Sequence, residues 1–206
     1  MGKREAKTDE MPKNPAYQPV GSGQTIKVNL YFWLQALILA LVTLILVFTF
    51  IGRAIAVDGE SMLPTLQDKD MMLIQSIGYS PKQGDVVVLT KNSFRDGKSP
   101  IVKRVIATGG QTVDIDYAAN TVTVTDPDGS SHVLDEPYLS NEPMIYPGPD
   151  SATHIEVPEG SICVFGDNRN NSTDSRRAII GTVDERCVLG RALMVIFPLG
   201  HLGVIR

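Results

Sequence analysis

Cysteine and histidine are scarce in this chain, and basic residues do not outnumber acidic ones. Its three histidines, His132, His154 and His201, lie far apart, and none has a cysteine or a second histidine at metal-ligand spacing. No zinc or other metal site is therefore expected. A formal net charge of −4 argues against a nucleic-acid binder, whose surface needs an excess of Lys and Arg to meet phosphates. At 206 residues the chain has room for one or two domains with a real core, so its two cysteines need not act as staples. Cys163 and Cys187 both fall in apolar runs; a disulfide outside the cytoplasm and two buried free thiols are each compatible with that placement. Internal repeats and interpretable low-complexity runs are also missing, which excludes a solenoid or an array.

What the sequence does have begins with an asymmetric N-terminal third. Residues 1–29 are polar, carry Pro12, Pro15 and Pro19, and hold Lys3, Arg4, Lys7, Lys13 and Lys27, the composition of a flexible tail. From Leu30 to Ile51 run 22 residues without a charge, in which only Gln35, Thr43 and Thr49 are distinctly polar. At about 1.5 Å per residue, a helix of that length covers the ~30 Å hydrocarbon core of a bilayer. Tyr31, Phe32 and Trp33 open it, where amphipathic rings favour the membrane interface, and the basic residues before it predict a cytoplasmic N-terminus. The expected organisation is a cytoplasmic tail over 1–29, one transmembrane helix over 30–52 and an extracytoplasmic domain over 53–206. A buried core helix is rarely so long and so uniformly apolar, and no small-residue cleavage site follows to suggest a removed signal peptide.

Beyond Gly52 the texture changes to short runs rich in β-branched residues, bounded by Gly, Pro, Asp and Asn. Strands are predicted over 71–77, 85–90, 101–107, 112–117, 121–125, 131–134, 153–157, 161–165 and 187–197. Turn residues separate several of them, at Tyr117-Ala118-Ala119-Asn120, Asp126-Pro127-Asp128-Gly129 and Pro158-Glu159-Gly160. The exported part is expected to be mainly β, an antiparallel, barrel-like domain. Residues 109–158 are candidates for a smaller β lobe inserted between two strands of the main sheet.

Three segments carry the candidate chemistry. Ser61 sits in a turn directly after the apolar segment, within Gly59-Glu60-Ser61-Met62-Leu63-Pro64-Thr65-Leu66. On its own such a serine reads as a solvated turn residue, and only residues further along the chain turn it into a candidate nucleophile. Lys103 lies on a strand between Ile101, Val102, Val105 and Ile106, sharing a face with Ile101 and Val105 while Arg104 faces the other way. A lysine among apolar neighbours loses solvation of its charged form, which favours the neutral amine that can take a serine's proton. Snorkelling along a sheet edge is the alternative. The third segment, Gly166 to Arg176, is dense in short polar side chains; it suits either a solvent-facing loop of Asx turns or a buried hydrogen-bonded network.

Together with Gly84-Asp85-Val86-Val87-Val88, and in this order behind one N-terminal span, these segments resemble the motifs of the bacterial type I signal peptidases. The resemblance covers the tail, the span and almost all of the exported domain. It implies a membrane-anchored serine endopeptidase with a Ser/Lys dyad that removes N-terminal signal peptides at the plasma membrane. Preproteins and membrane lipid are then its partners, and no cofactor, metal or nucleic acid is needed. By alignment of motifs, Ser61 matches the nucleophile, Lys103 the general base, Ser172 a hydroxyl that orients the lysine, and Asp174 and Arg176 a supporting ion pair. The backbone N–H of Ser61 is the implied oxyanion donor. Gly59 stands where many members place a second, hydroxyl donor; Asn170 replaces a common aspartate, and Thr108-Gly109-Gly110 a proline–glycine turn. Small side chains such as Ala are implied at the first and third positions before the cut. The substrate would add as a strand along walls drawn from Ile55, Ala56 and Val57 and from Pro100, Ile101 and Val102. Two rivals are a specialised Ser/Lys processing peptidase with few substrates and a catalytically silent membrane-tethered binding domain. The intact set of Ser61, Lys103 and Ser172 speaks against the latter, and the segment 30–51 against a soluble self-cleaving repressor.

Overall fold

The computed structural model describes residues 22–50, 52–90 and 100–205, with helical side chains placed over 29–45. An α-helix, α1, runs Ser22–Phe50, so the helix starts ahead of the expected Leu30. Residues 1–21 of the expected tail lie outside the described residues. Along 29–45 every residue is exposed, including Leu30, Phe32, Trp33, Leu39 and Ile45. Among the described residues no helix is long and apolar enough to cross a membrane.

The remainder is mainly β and antiparallel, as its short β-branched runs require. Its strands are β1 Gly52–Ala56, β2 Met71–Gln75, β3 Val86–Leu89, β4 Ile101–Thr108, β5 Thr112–Asp116, β6 Thr121–Thr125, β7 Ser131–Val133, β8 His154–Glu156, β9 Ser161–Phe165, β10 Val183–Asp184, β11 Val188–Phe197 and β12 Gly203–Val204. One sheet has the order β1-β2-β11-β3-β4-β9-β10, with β12 on β11; a second has the order β7-β6-β5-β8. The short strands β1, β10 and β12 have no counterpart in the sequence-based expectation. Each depends on a neighbour already in place: β10 and β12 pair over only two residues apiece, with β9 and β11.

Burial explains the order. β3 is buried throughout and β4 is buried from Ile101 to Ala107, the pattern of strands covered on both faces. Val87, Leu89, Ile101, Val105, Ile162, Val164 and Ile180 form a core on one face of these strands; Val57, Met62, Leu66, Met72, Ile74, Val86, Val88 and Val102 form another. Each such side chain contributes roughly 1.5–3 kcal/mol when fully buried. The second sheet alternates cleanly, with Val113, Ile115, Val122, Val124 and Ile155 packing on Ile106, Cys163 and Phe165. Asn120, Gly129 and Gly160 adopt positive φ at the three expected turns. Cys163 is buried and Cys187 half-buried, and both are free thiols. Burial pushes the Cys163 thiol up, which leaves it inert.

Candidate active site

β1 and β4 are four strand steps apart in the main sheet, which in a flat sheet would be about 19 Å. Curling of the sheet and the loop 57–70 close that gap. The loop's ends are tied, Val57 N–H donating to the Asp70 carbonyl (2.8 Å) and Lys69 N–H to the Val57 carbonyl (3.0 Å). Met62 and Leu66, one helical turn apart, are buried in the core at 1 % and 0 % exposure. Ser61, between the plugged Met62 and the exposed Glu60, is thereby held at the surface of the core and not in free solvent.

Lys103 reaches it from β4. Its Nζ donates to Ser61 Oγ at 2.6 Å, and the lysine is only 2 % exposed. Both residues line a cleft of about 700 Å³, with Gly59 and with Val57, Pro100, Ile101 and Val102 of the expected walls. Ile55 and Ala56 do not line it. Alternation along β1 packs Ile55 against the core and leaves Ala56 exposed. Asp58, Glu60, Met62, Asp68, Asn171, Thr173 and Ile179 complete the lining, and sequence reasoning did not single them out.

The segment 166–176 clasps the serine loop. Asn168 N–H donates to the Ser61 carbonyl (3.0 Å), and Asn168 Nδ2 to the Glu60 carbonyl (3.1 Å). Gly166 is where the two segments touch. A Cβ there would lie 2.2 Å from Ser172 Oγ and 2.5 Å from the Ser61 carbonyl oxygen, so no other residue fits without displacing them. Ser172 Oγ is buried and makes no hydrogen bond of normal geometry, to Lys103 or to any other described atom. It nonetheless sits close enough to the Asp174 carboxylate to favour its charged form.

Asp174 and Arg176 form a buried pair: Arg176 Nε donates to Oδ1 (2.8 Å) and Nη2 to Oδ2 (2.8 Å). Burial pushes the Asp174 carboxyl up, but the Arg176 guanidinium, the Gly166 N–H and Ser172 outweigh it and hold it below the usual carboxylate range. The Arg176 guanidinium is raised in turn; its own burial opposes this and Asp174 prevails. A second buried pair was not foreseen. Arg104 Nε and Nη2 donate to the two oxygens of Asp167 at 2.9 and 2.7 Å, Nη1 donates to the Gly84 carbonyl (2.8 Å), and the Tyr138 ring covers the guanidinium at 3.7 Å. Thr65 donates its hydroxyl to Asp167 as well. Strand β4, the Gly84 motif, the serine loop and the 166–176 segment thus meet at the Arg104–Asp167 pair, whose arginine is one residue from Lys103 along the chain. A third pair, Arg169 with Glu136, lies behind them. The available signal was the position of Arg104 beside Lys103 on the opposite, buried face.

Gly59, the uncertain oxyanion position, has φ +102 and commits its N–H to Asp68 Oδ1 (2.8 Å). Asp68 is held below the usual carboxylate range, first by that bond. Among the described residues no group of three or more His, Cys, Asp or Glu is placed to hold a metal ion.

A hydroxyl hydrogen-bonded to a buried amine in an open cleft is the arrangement that a hydrolase with an activated serine requires. The sequence comparisons specify it. Residues 30–197 match the family model described as signal peptidase, peptidase S26. A signal peptidase I of Leptolyngbya laminosa is 30% identical over 200 residues, covering 93% of this chain and 92% of that protein. A probable signal peptidase I-1 of Synechocystis is 34% identical over 188 residues, covering 87% of each. A crystal structure of a signal peptidase I from Enterococcus faecalis V583 is 28% identical, with a TM-score of 0.40, covering 55% of this chain and 97% of that one. The chain belongs to the bacterial type I signal peptidases.

Proposed function

We propose that this protein is a membrane-anchored endopeptidase that cleaves signal peptides from exported preproteins with Ser61 as nucleophile and Lys103 as general base. The observation that carries this reading is the 2.6 Å contact between Lys103 Nζ and Ser61 Oγ on the wall of the cleft. Burial disfavours the ammonium form of Lys103, which supports its acting as a neutral amine. The amine takes the Ser61 proton as Oγ attacks the scissile carbonyl. The Ser61 backbone N–H is assigned as the oxyanion donor. Lys103 then returns the proton to the leaving amine, giving an acyl-enzyme that a water, deprotonated by the same lysine, hydrolyses. With its N–H taken by Asp68, Gly59 is not a second donor. Ser172 is assigned to orienting Lys103; its hydrogen bond would tighten only as substrate closes the cleft. Asp174 and Arg176 hold the segment that presses on the serine loop.

Anchoring is supported by the apolar, exposed surface of α1 and by the uncharged run 30–51. The test is mass spectrometry of a preprotein incubated with the full chain in detergent, which reads the cut position. Ser61→Ala and Lys103→Ala are each expected to abolish cleavage, and wild-type rate to rise with pH as Lys103 gives up its proton. Full activity in either variant would sink the assignment.

A further inference from the structure

The lining of the cleft is asymmetric. The serine loop contributes the carboxylates of Asp58, Glu60 and Asp68, whereas the segment after Arg176 contributes Ile179. Ile179 is 63 % exposed, while the other large apolar residues of the lining, Val57, Met62, Ile101 and Val102, are 8 % exposed or less. Nothing about the turn that carries it is loose. The Arg177 carbonyl accepts from both Ile180 N–H (2.9 Å) and Gly181 N–H (2.9 Å), and Gly181 adopts φ +56 to close it. Ile180 is 2 % exposed in the core with Val87, Leu89 and Ile101, so turning Ile179 inward would pull its neighbour out. An apolar side chain held out beside a reactive serine is unfavourable in water and gains by contact with another apolar group.

We propose that Ile179 is a specificity-determining residue, forming the apolar contact for one side chain of the peptide held in the cleft. This inference rests on the reading of Ser61 and Lys103 as a peptidase dyad. It extends the recognition surface beyond the walls at Val57 and Pro100–Val102 to a third element, the turn 177–181. The occupant is a substrate position that takes Val or Leu, directed to Ile179 because the serine loop's share of the lining carries carboxylates.

The experiment is a set of signal-peptide substrates in which each position flanking the cut is in turn Ala or Leu, cleaved by full-length wild type, Ile179→Ala and Ile179→Asp. At one position the wild-type preference for Leu over Ala in kcat/KM is expected to shrink about tenfold in Ile179→Ala, with the loss in KM, and to reverse in Ile179→Asp. An unchanged preference at every position, or an equal loss on all substrates, overturns this inference and leaves the dyad reading standing. A wild type that cleaves none of them overturns both.

Discussion

Replacing Gly166 with alanine tests the assembly of the site more directly than replacing the dyad. The added Cβ would meet Ser172 Oγ at 2.2 Å, the Ser61 carbonyl oxygen at 2.5 Å and Ser172 Cβ at 2.6 Å. Ordinary contacts begin near ~3.4 Å, so the two sides must separate by about 1 Å. The Ser61 carbonyl is also the acceptor of Asn168 N–H, so the displacement acts on the backbone of the nucleophile itself and is not absorbed by a flexible side chain. Overpacking of this kind costs about 1–3 kcal/mol of stability, and a misplacement near 1 Å costs on the order of 10²-fold in rate. Gly166→Ala is therefore expected to fold, to lose a few degrees of Tm, and to cleave a preprotein peptide about a hundredfold more slowly at saturating substrate. Adding Ser172→Gly removes two of the three clashes but leaves the one with Ser61, so it should recover stability and little activity. Circular dichroism melts and initial rates read the two effects separately. Wild-type kcat in Gly166→Ala would refute the argument that this contact sets the position of Ser61.

Other expectations follow from the buried charges. Asp167→Ala strands Arg104 in the core and should cost about 3–5 kcal/mol in urea unfolding, whereas Arg104→Met with Asp167→Leu should cost clearly less than the summed single variants. Additive losses would show the pair is not a unit. Asp174 has a folded pKa below its ordinary 3.8, so its contribution is present above about pH 4 and is lost as pH falls through the lower folded value. Wild type should then lose Tm more steeply than Asp174→Asn below pH 4, and parallel curves would contradict this. Nδ1 of His154 contacts Asp114 at 2.6 Å, a hydrogen bond that raises the imidazole above 6.5. Any stability it adds is present below pH 6.5 and lost as pH rises through the raised value; with both groups about half exposed the effect on stability is small. NMR titration should place His154 above free histidine and return it towards 6.5 in Asp114→Asn.

Much of this was legible in the sequence because the signals were local. Alternation and turn residues marked the longer strands to within a few residues, and the order of four short motifs pointed to the family. What the sequence withheld depends on distance along the chain. Arg104 and Asp167 are 63 positions apart, and alternation reveals only that Arg104 faces away from Lys103, not what waits there. Strands β10 and β12 exist only because β9 and β11 offer an edge. Ile179 carried no signal, since an isoleucine beside another isoleucine reads as core, and only the turn decides which is buried. The start of α1 at Ser22 was hidden because Thr25, Lys27 and Asn29 interrupt the apolar run without breaking the backbone pattern.

Strand β11 holds the two halves of the site in one sheet. It lies between β2 and β3, and among the described residues no other strand joins the β1–β2 hairpin to β3, β4 and β9 in the main sheet. The hairpin carries the Ser61 loop and the other group carries Lys103. Without residues 188–197 the two halves share no ladder, and only loop and side-chain contacts such as Thr65–Asp167–Arg104 and Asn168–Ser61 tie the serine loop to β4. A chain truncated before this strand therefore keeps the residues of the site without the ladder that joins their two halves.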